Sequence, residues 1–265
     1  MNSVLEKIIK NKKREVKQRK KEVPIARLFE LIQNLPTHDY FSKGLYDSGT
    51  VEIIAEIKKS SPSAGLLRQN FDPISIAKSY EINGAWAISI LTDEKFFKGN
   101  LKCLYQVRQV VKLPLLRKDF IIDPYQAIEA RAYGADAILL ILRILSKMQC
   151  IELEMATREI NLDILVEVHT IEELERALSY GFSFIGINNR NLNTFEVNFK
   201  TTEKLLAALP KDVIVVSESG IKKKEDIQRL GQIGVDAVLI GEAFMRQADI
   251  GAALKQFVGV PKWSR

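Results

Sequence analysis

"YGADAILLIL", residues 133–142, decides the fold. Tyr133 closes a helical stretch, and Gly134 is the residue type that tolerates the left-handed conformation ending a helix. Ala137–Leu142 is then a short run that is apolar on both faces, as a doubly covered parallel strand must be. The junction recurs as "NGAWA" (83–87), "YGFSF" (180–184) and "IGVDA" (233–237). Four helix–glycine–strand joints imply a βα array. Reading outward from them predicts eight strands, at 51–57, 85–91, 114–118, 137–142, 163–168, 182–188, 213–218 and 237–241. Helix starts fall between them. Asp72–Pro73 and Asp123–Pro124 each put a capping acid before a proline at the first helical position. "SKMQ" (146–149) and "TIEE" (170–173) are capping-box patterns. Eight such units close most naturally into an α/β (β/α)8 TIM barrel, which takes about 250 residues, with a doubly wound open sheet as the alternative. Residues 1–265 therefore read as a single barrel domain. Residues 1–49 form an N-terminal helical extension, including "IARLFELIQN" (25–34), able to cover one barrel end.

Composition narrows the function. The chain has 265 residues, 46% of them hydrophobic, which is ample for a barrel core. Its apolar runs fall well short of the roughly 20 residues that span a bilayer, and the charged N-terminus lacks a signal-peptide core. Cys103 and Cys150 make no disulfide framework or Cys-x-x-Cys pair, so a reducing, cytoplasmic setting is expected. Two histidines, His38 and His169, cannot build a His-rich metal site, and no metal is expected. The net charge of +6 is local: residues 1–24 hold nine Lys/Arg against three Asp/Glu, and the remainder is balanced. A nucleic-acid arm is one reading. With few interleaved aromatics, a solvated helix burying Val4, Leu5, Ile8 and Ile9 is preferred, and no nucleic-acid partner is expected.

A barrel of this kind places its chemistry at the C-terminal ends of its strands. Glu56 and Lys58 stand two residues apart at the first strand's end, and so share a face. Lys118 ends the third strand, Glu167 lies on the fifth, Asn188 ends the sixth with Arg190 beyond, and Glu218 ends the seventh. Buried charges cost several kcal/mol unless paired. Six ionisable groups of mixed sign converging on one rim suit a site for a charged substrate. Two lysines and an arginine make that substrate anionic. Gly220 and Gly241, after the seventh and eighth strands, let backbone N–H groups approach a phosphate. Glu242 would repel a phosphate, so only its backbone N–H is expected to serve. Phe97, Phe120 and Leu142 are candidates for an apolar slot around a ring. Lys59 and Asp119 face away from the mouth by strand alternation. His169 is expected at the entrance to a helix.

"IIAEIKKSSPSAG", "SILTDEKFFKG", "PLLRKDFIIDPYQ", "ILVEVHT", "IGINNRNL", "VSESGI" and "VLIGEAFM" resemble, in order, the signatures of the indole-3-glycerol phosphate synthase family. The resemblance runs from about residue 4 to 257 and includes the basic "LEKIIKNKKREV" start. It implies a metal- and cofactor-free carboxy-lyase of tryptophan biosynthesis, acting on 1-(2-carboxyphenylamino)-1-deoxyribulose 5-phosphate. It also implies a role for each motif residue. Lys118 resembles the general acid for ring closure, with a pKa expected to be lowered by neighbouring cations and burial. Lys58 resembles the carboxylate-binding residue, which also suits it to the dehydration step. Glu167 resembles an acid/base group, Glu56 and Asn188 resemble orienting and hydrogen-bonding partners, and Glu218 resembles a further carboxylate in contact with the substrate. Ser61 and Arg190 resemble substrate contacts, with Ser61, Ser219, Gly220 and Gly241 at the phosphate end. Which lysine protonates which intermediate stays open. A neighbouring phosphate-binding barrel activity, phosphoribosylanthranilate isomerisation, would want a cysteine after the first strand, where this chain has Glu and Lys. A monomer is expected.

Overall fold

The computed structural model describes residues 4–33, 35, 41–46, 48–191 and 196–265. Asn34 and His38 lie outside these. Eight parallel strands form a closed barrel: β1 (Glu52–Ile57), β2 (Ala87–Leu91), β3 (Leu115–Lys118), β4 (Ala137–Ile141), β5 (Asp163–Val168), β6 (Phe184–Asn188), β7 (Ile214–Glu218) and β8 (Ala237–Ile240). β1 pairs with both β2 and β8, which closes the ring. Helices alternate with the strands, so the chain is a TIM barrel. Leu142, expected to end the fourth strand, instead begins a 3-10 turn, Leu142–Ile144.

The junction glycines do what the sequence requires of them. Gly84, Gly134, Gly181 and Gly234 have φ of 92°, 93°, 84° and 86°, a region where a side chain is strained. Asp72 and Asp123 cap the following helices, accepting from Ile74 N at 3.1 Å and Tyr125 N at 3.0 Å. The pleat then sorts the strand residues. Ile54, Leu116, Leu139, Leu165, Val216 and Leu239 point inward and fill the barrel. Their neighbours Ile53, Leu115, Ile138, Val166, Val215 and Val238 point outward under the helices. Both faces are buried, which is why the strands read as unbroken apolar runs.

The extension comprises α1 (Val4–Glu22), α2 (Ile25–Gln33) and α3 (Lys43–Tyr46). α1 was expected to bury Val4, Leu5, Ile8 and Ile9, but its buried positions are Ile8, Lys12 and Val16, one turn apart. Lys12 is wholly buried because three acids surround it: Nζ lies 2.7 Å from Asp119, 3.0 Å from Asp93 and 3.1 Å from Glu15. Farther along, Arg19 meets Glu129 at 3.0 Å, and Arg117 joins Glu129 to Asp119 at 2.9 and 3.1 Å. The outer face of α1 carries Lys7, Lys10, Arg14 and Lys17 into solvent.

Phe41 and Ser42, just ahead of α3, pack at the opposite end of the barrel. Phe41 wedges between Trp86 and Phe184, with ring centroids 5.3 and 5.9 Å away. Ser42 donates its backbone N–H and its hydroxyl to Asp163, which begins β5, at 2.7 and 2.9 Å. The extension thus contacts both barrel ends, not one. No helix among the described residues is long and apolar enough to cross a membrane.

Candidate active site

The C-terminal ends of the strands surround a cavity of about 1400 Å³. The i, i+2 rule brings Glu56 and Lys58 to it together, where they form a close ion pair. Gly241, just past the end of the neighbouring β8, makes room for this: a Cβ there would lie 2.0 Å from Glu56 Oε2. Lys118 stands at the centre. Its Nζ is 2.6 Å from Glu218 Oε2 and 3.4 Å from Glu167 Oε2. Gly186 clears the space beside Glu218, since a Cβ there would meet Oε1 at 2.4 Å. Asn188 hydrogen-bonds to Glu167, and its Oδ1 accepts the N–H of Arg190 at 3.0 Å.

Burial and pairing set the protonation states. Burial alone would lower the Lys118 pKa, but Glu218, Glu167 and Glu56 together reverse this and raise it. The expected lowering is therefore corrected: the lysine faces three carboxylates rather than other cations. Glu167 is also opposed by burial, yet Lys118 and His169 hold it ionised, down to about 2. Glu218 goes the other way, pushed up to about 7 by burial and by the nearby charges of Glu167 and Glu56, against the pull of Lys118. Two carboxylates that touch one lysine are thus driven apart, one firmly charged and one near neutrality.

Of the remaining predicted residues, Ser61, Phe97, Phe120, Arg190, Ser219 and Gly220 also line the cavity. Ser61 sits in a small hairpin, paired to Gly65. Phe97 and Phe120 stack loosely, with centroids 6.0 Å apart. Ser219 and Gly220 form a left-handed turn after β7, with φ of 69° and 89°. Glu242 opens the four-residue helix Glu242–Met245. Its carboxylate turns along that helix to Arg246 at 3.0 Å, with Arg190 3.9 Å away on the other side.

Leu142 is not brought to the cavity. It is fully buried in the outer layer with Ile138 and Leu140. The same i+2 rule explains the error, because the inward residues of β4 are Leu139 and Ile141, and these line the site. Sequence reading also missed Val4, Leu5 and Ile8 of α1, which reach over the cavity. It missed His169 as a partner of Glu167, with Nε2 at 3.2 Å from Oε1. Asp119, just past the end of β3, borders the cavity, but its carboxylate is paired with Lys12 and Arg117. Lys59 faces the Phe71 ring at 6.0 Å. Among the described residues, no cluster of three or more His, Cys, Asp or Glu is arranged to hold a metal.

A family model described as indole-3-glycerol phosphate synthase matches residues 5–257. A curated protein of that name from Desulforamulus reducens is 48% identical over 256 residues, covering 96% of this chain and 97% of its own. Another from Acetivibrio thermocellus is 46% identical over 260 residues, covering 97% of this chain and all of its own. Among solved structures, a thiamine phosphate pyrophosphorylase from Pyrococcus furiosus aligns with a TM-score of 0.59 at 18% identity, over 79% of this chain and 94% of its own. A 3-hexulose-6-phosphate synthase from Salmonella typhimurium aligns with a TM-score of 0.61 at 10% identity, over 78% of this chain and 96% of its own. These two likenesses concern the barrel fold alone.

Proposed function

Because this chain belongs to the indole-3-glycerol phosphate synthase family, we propose that its rim charges divide the work of that synthesis among themselves. The reaction closes the pyrrole ring of 1-(2-carboxyphenylamino)-1-deoxyribulose 5-phosphate, then releases carbon dioxide and water. The observation carrying the proposal is Lys118, poised between Glu218 and Glu167 beside the Lys58–Glu56 pair.

Lys118 protonates the C2′ carbonyl oxygen while the aryl carbon attacks. Its raised pKa favours this role, because the lysine arrives protonated. The alkoxide forming at C2′ is more basic still, so transfer runs downhill. Lys58 binds the substrate carboxylate, displacing Glu56 from its ion pair. Loss of carbon dioxide then restores the aromatic ring. In the last step the C2′ hydroxyl leaves as water, protonated by a lysine, and Glu167 removes the proton that completes the pyrrole. Glu218, near neutrality, is able to return a proton to Lys118 between steps. Asn188 and Glu56 orient these groups. The phosphate sits at the Ser219–Gly220 turn and at Gly241 with the Glu242 N–H, and Ser61 and Arg190 complete its surroundings. Phe97, Phe120 and Leu139 hold the ring. No cofactor, nucleic acid or membrane takes part, and the protein works as a cytoplasmic monomer.

Purified protein mixed with this substrate should generate indole fluorescence with or without a chelator. Failure under both conditions would reject the assignment.

A further inference from the structure

We propose that His169 is a positioning residue for Glu167, locked in place by Glu173 and Arg143. The proposal rests on the reading of Glu167 as the acid/base group. His169 follows β5 directly, and its side chain is 5% exposed, yet it does not line the active-site cavity. Its ring stands between two carboxylates: Nε2 is 3.2 Å from Glu167 Oε1, and Nδ1 is 3.2 Å from Glu173 Oε2.

The chain builds this arrangement locally. Thr170 caps the helix Ile171–Ser179, accepting from Glu173 N at 3.3 Å. In a capping box, the Glu173 carboxylate would return to the N–H of Thr170. It reaches one residue further instead and accepts the N–H of His169 at 2.7 Å. Arg143, in the turn after β4, fixes the other Glu173 oxygen from Nε at 2.8 Å. The result is an alternating row: Arg143, Glu173, His169, Glu167, Lys118.

A neutral imidazole offers one donor and one acceptor. Nδ1 faces Glu173 in hydrogen-bonding geometry, and Nε2, which makes no hydrogen bond, lies at ion-pair distance from Glu167, so an acceptor oxygen near each nitrogen favours the doubly protonated ring. Burial disfavours that cation, but Glu167 and Glu173 outweigh burial and raise its pKa to about 9. The other charged groups near the ring are Glu172, Lys200 and Lys204, around a small outer cleft that His169 closes from within. Glu167 is therefore held at both oxygens, Oε1 by an imidazolium and Oε2 by Lys118, with Asn188 as a third restraint. Its carboxylate cannot rotate away from the reacting centre, and it stays charged when the medium turns acidic.

The test compares His169→Asn, His169→Ala, Glu173→Gln and Glu167→Gln in the full chain from pH 6 to 10. Misplacing a catalytic group by about an ångström costs up to roughly a hundredfold in rate. His169→Asn and His169→Ala should lower kcat about tenfold or more, with KM within about twofold. Wild-type kcat should fall as the pH rises through about 9, and that fall should be absent in both variants. Glu173→Gln should shift that fall to lower pH, because it removes one of the two carboxylates that keep the ring charged. The chain has only two histidines, so a His38→Gln variant leaves one imidazole to titrate by nitrogen NMR, independently of turnover. That ring should remain doubly protonated at pH 8. Titration near 6.5, or wild-type kcat and pH profile in His169→Asn beside an inactive Glu167→Gln, would overturn the positioning role. Wild-type kcat in Glu167→Gln would instead overturn the acid/base reading on which it rests.

Discussion

Replacing Lys12 with methionine isolates the contribution of one buried charge. Methionine keeps most of the side-chain length but removes the cation. Asp93 and Asp119 are then left in a space where all three side chains are 0% exposed. Asp119 retains Arg117 at 3.1 Å and Thr92 at 2.6 Å. Asp93 Oδ2 makes no hydrogen bond and loses its ion-pair partner. Removing one member of a buried ion pair costs about 3–5 kcal/mol. For 265 residues the unfolding entropy is about 0.55 kcal/mol/K, so the melting temperature should fall by about 5–9 °C. Calorimetry at pH 7 measures this directly. The loss should shrink in a Lys12→Met/Asp93→Asn double variant, which no longer strands that carboxylate. It should also shrink in acid. Burial opposes ionisation of Asp119, but Lys12 and Arg117 hold its carboxyl well below the usual range. Stability from that group is present above its unfolded pKa of 3.8 and disappears as the pH falls below it. A melting temperature within about 1 °C of wild type would show that Lys12 is not a paired interior charge.

Lys118→Ala should abolish turnover while the protein stays folded and still binds inorganic phosphate; wild-type rates would sink the acid assignment. Lys58→Ala should cost far more activity than Lys59→Ala, and equal losses in steady-state assays would contradict the strand parity. Gly241→Ala should reduce kcat/KM by about a hundredfold or more, because its methyl would lie 2.0 Å from Glu56 Oε2 and displace that carboxylate. Gly186→Ala should act in the same way through Glu218. In Glu218→Gln, thermal melts should lose part of the wild-type decline in stability between pH 4.5 and 7. The raised pKa of Glu218 stabilises the fold fully below 4.5, and that contribution is lost as the pH climbs through 7.

The strands were legible because β-branched runs punctuated by glycine admit few other structures. The rim charges were legible because a carboxylate two residues from a lysine is costly inside a strand without a purpose. Leu142 misled because it was judged by type and position, without counting the pleat back from the strand's end. Leu139 would have emerged from that count. Lys12 was hidden by the company it keeps, one lysine among many in a basic helix, with its two fully buried acids more than eighty residues away in sequence. The protonation of Lys118 was misjudged for a related reason. Sequence places charges on a rim but does not say which ones touch, and three acids rather than cations adjoin it. His169 was placed correctly at a helix entrance. Its second role depends on the ring bridging Glu167 and Glu173, which chain order does not reveal.

The extension that contacts both ends of the barrel also imposes an order of events during synthesis. Lys12 leaves the ribosome long before Asp93 and Asp119, and Ser42 long before Asp163. Until those partners arrive, the first helix has a lysine in its buried row and little to pack against, so it waits in water. This segment therefore locks only after strands that follow it in the chain. Its docking requires the chain as far as β5, because Asp163, the last of these partners to be made, begins that strand.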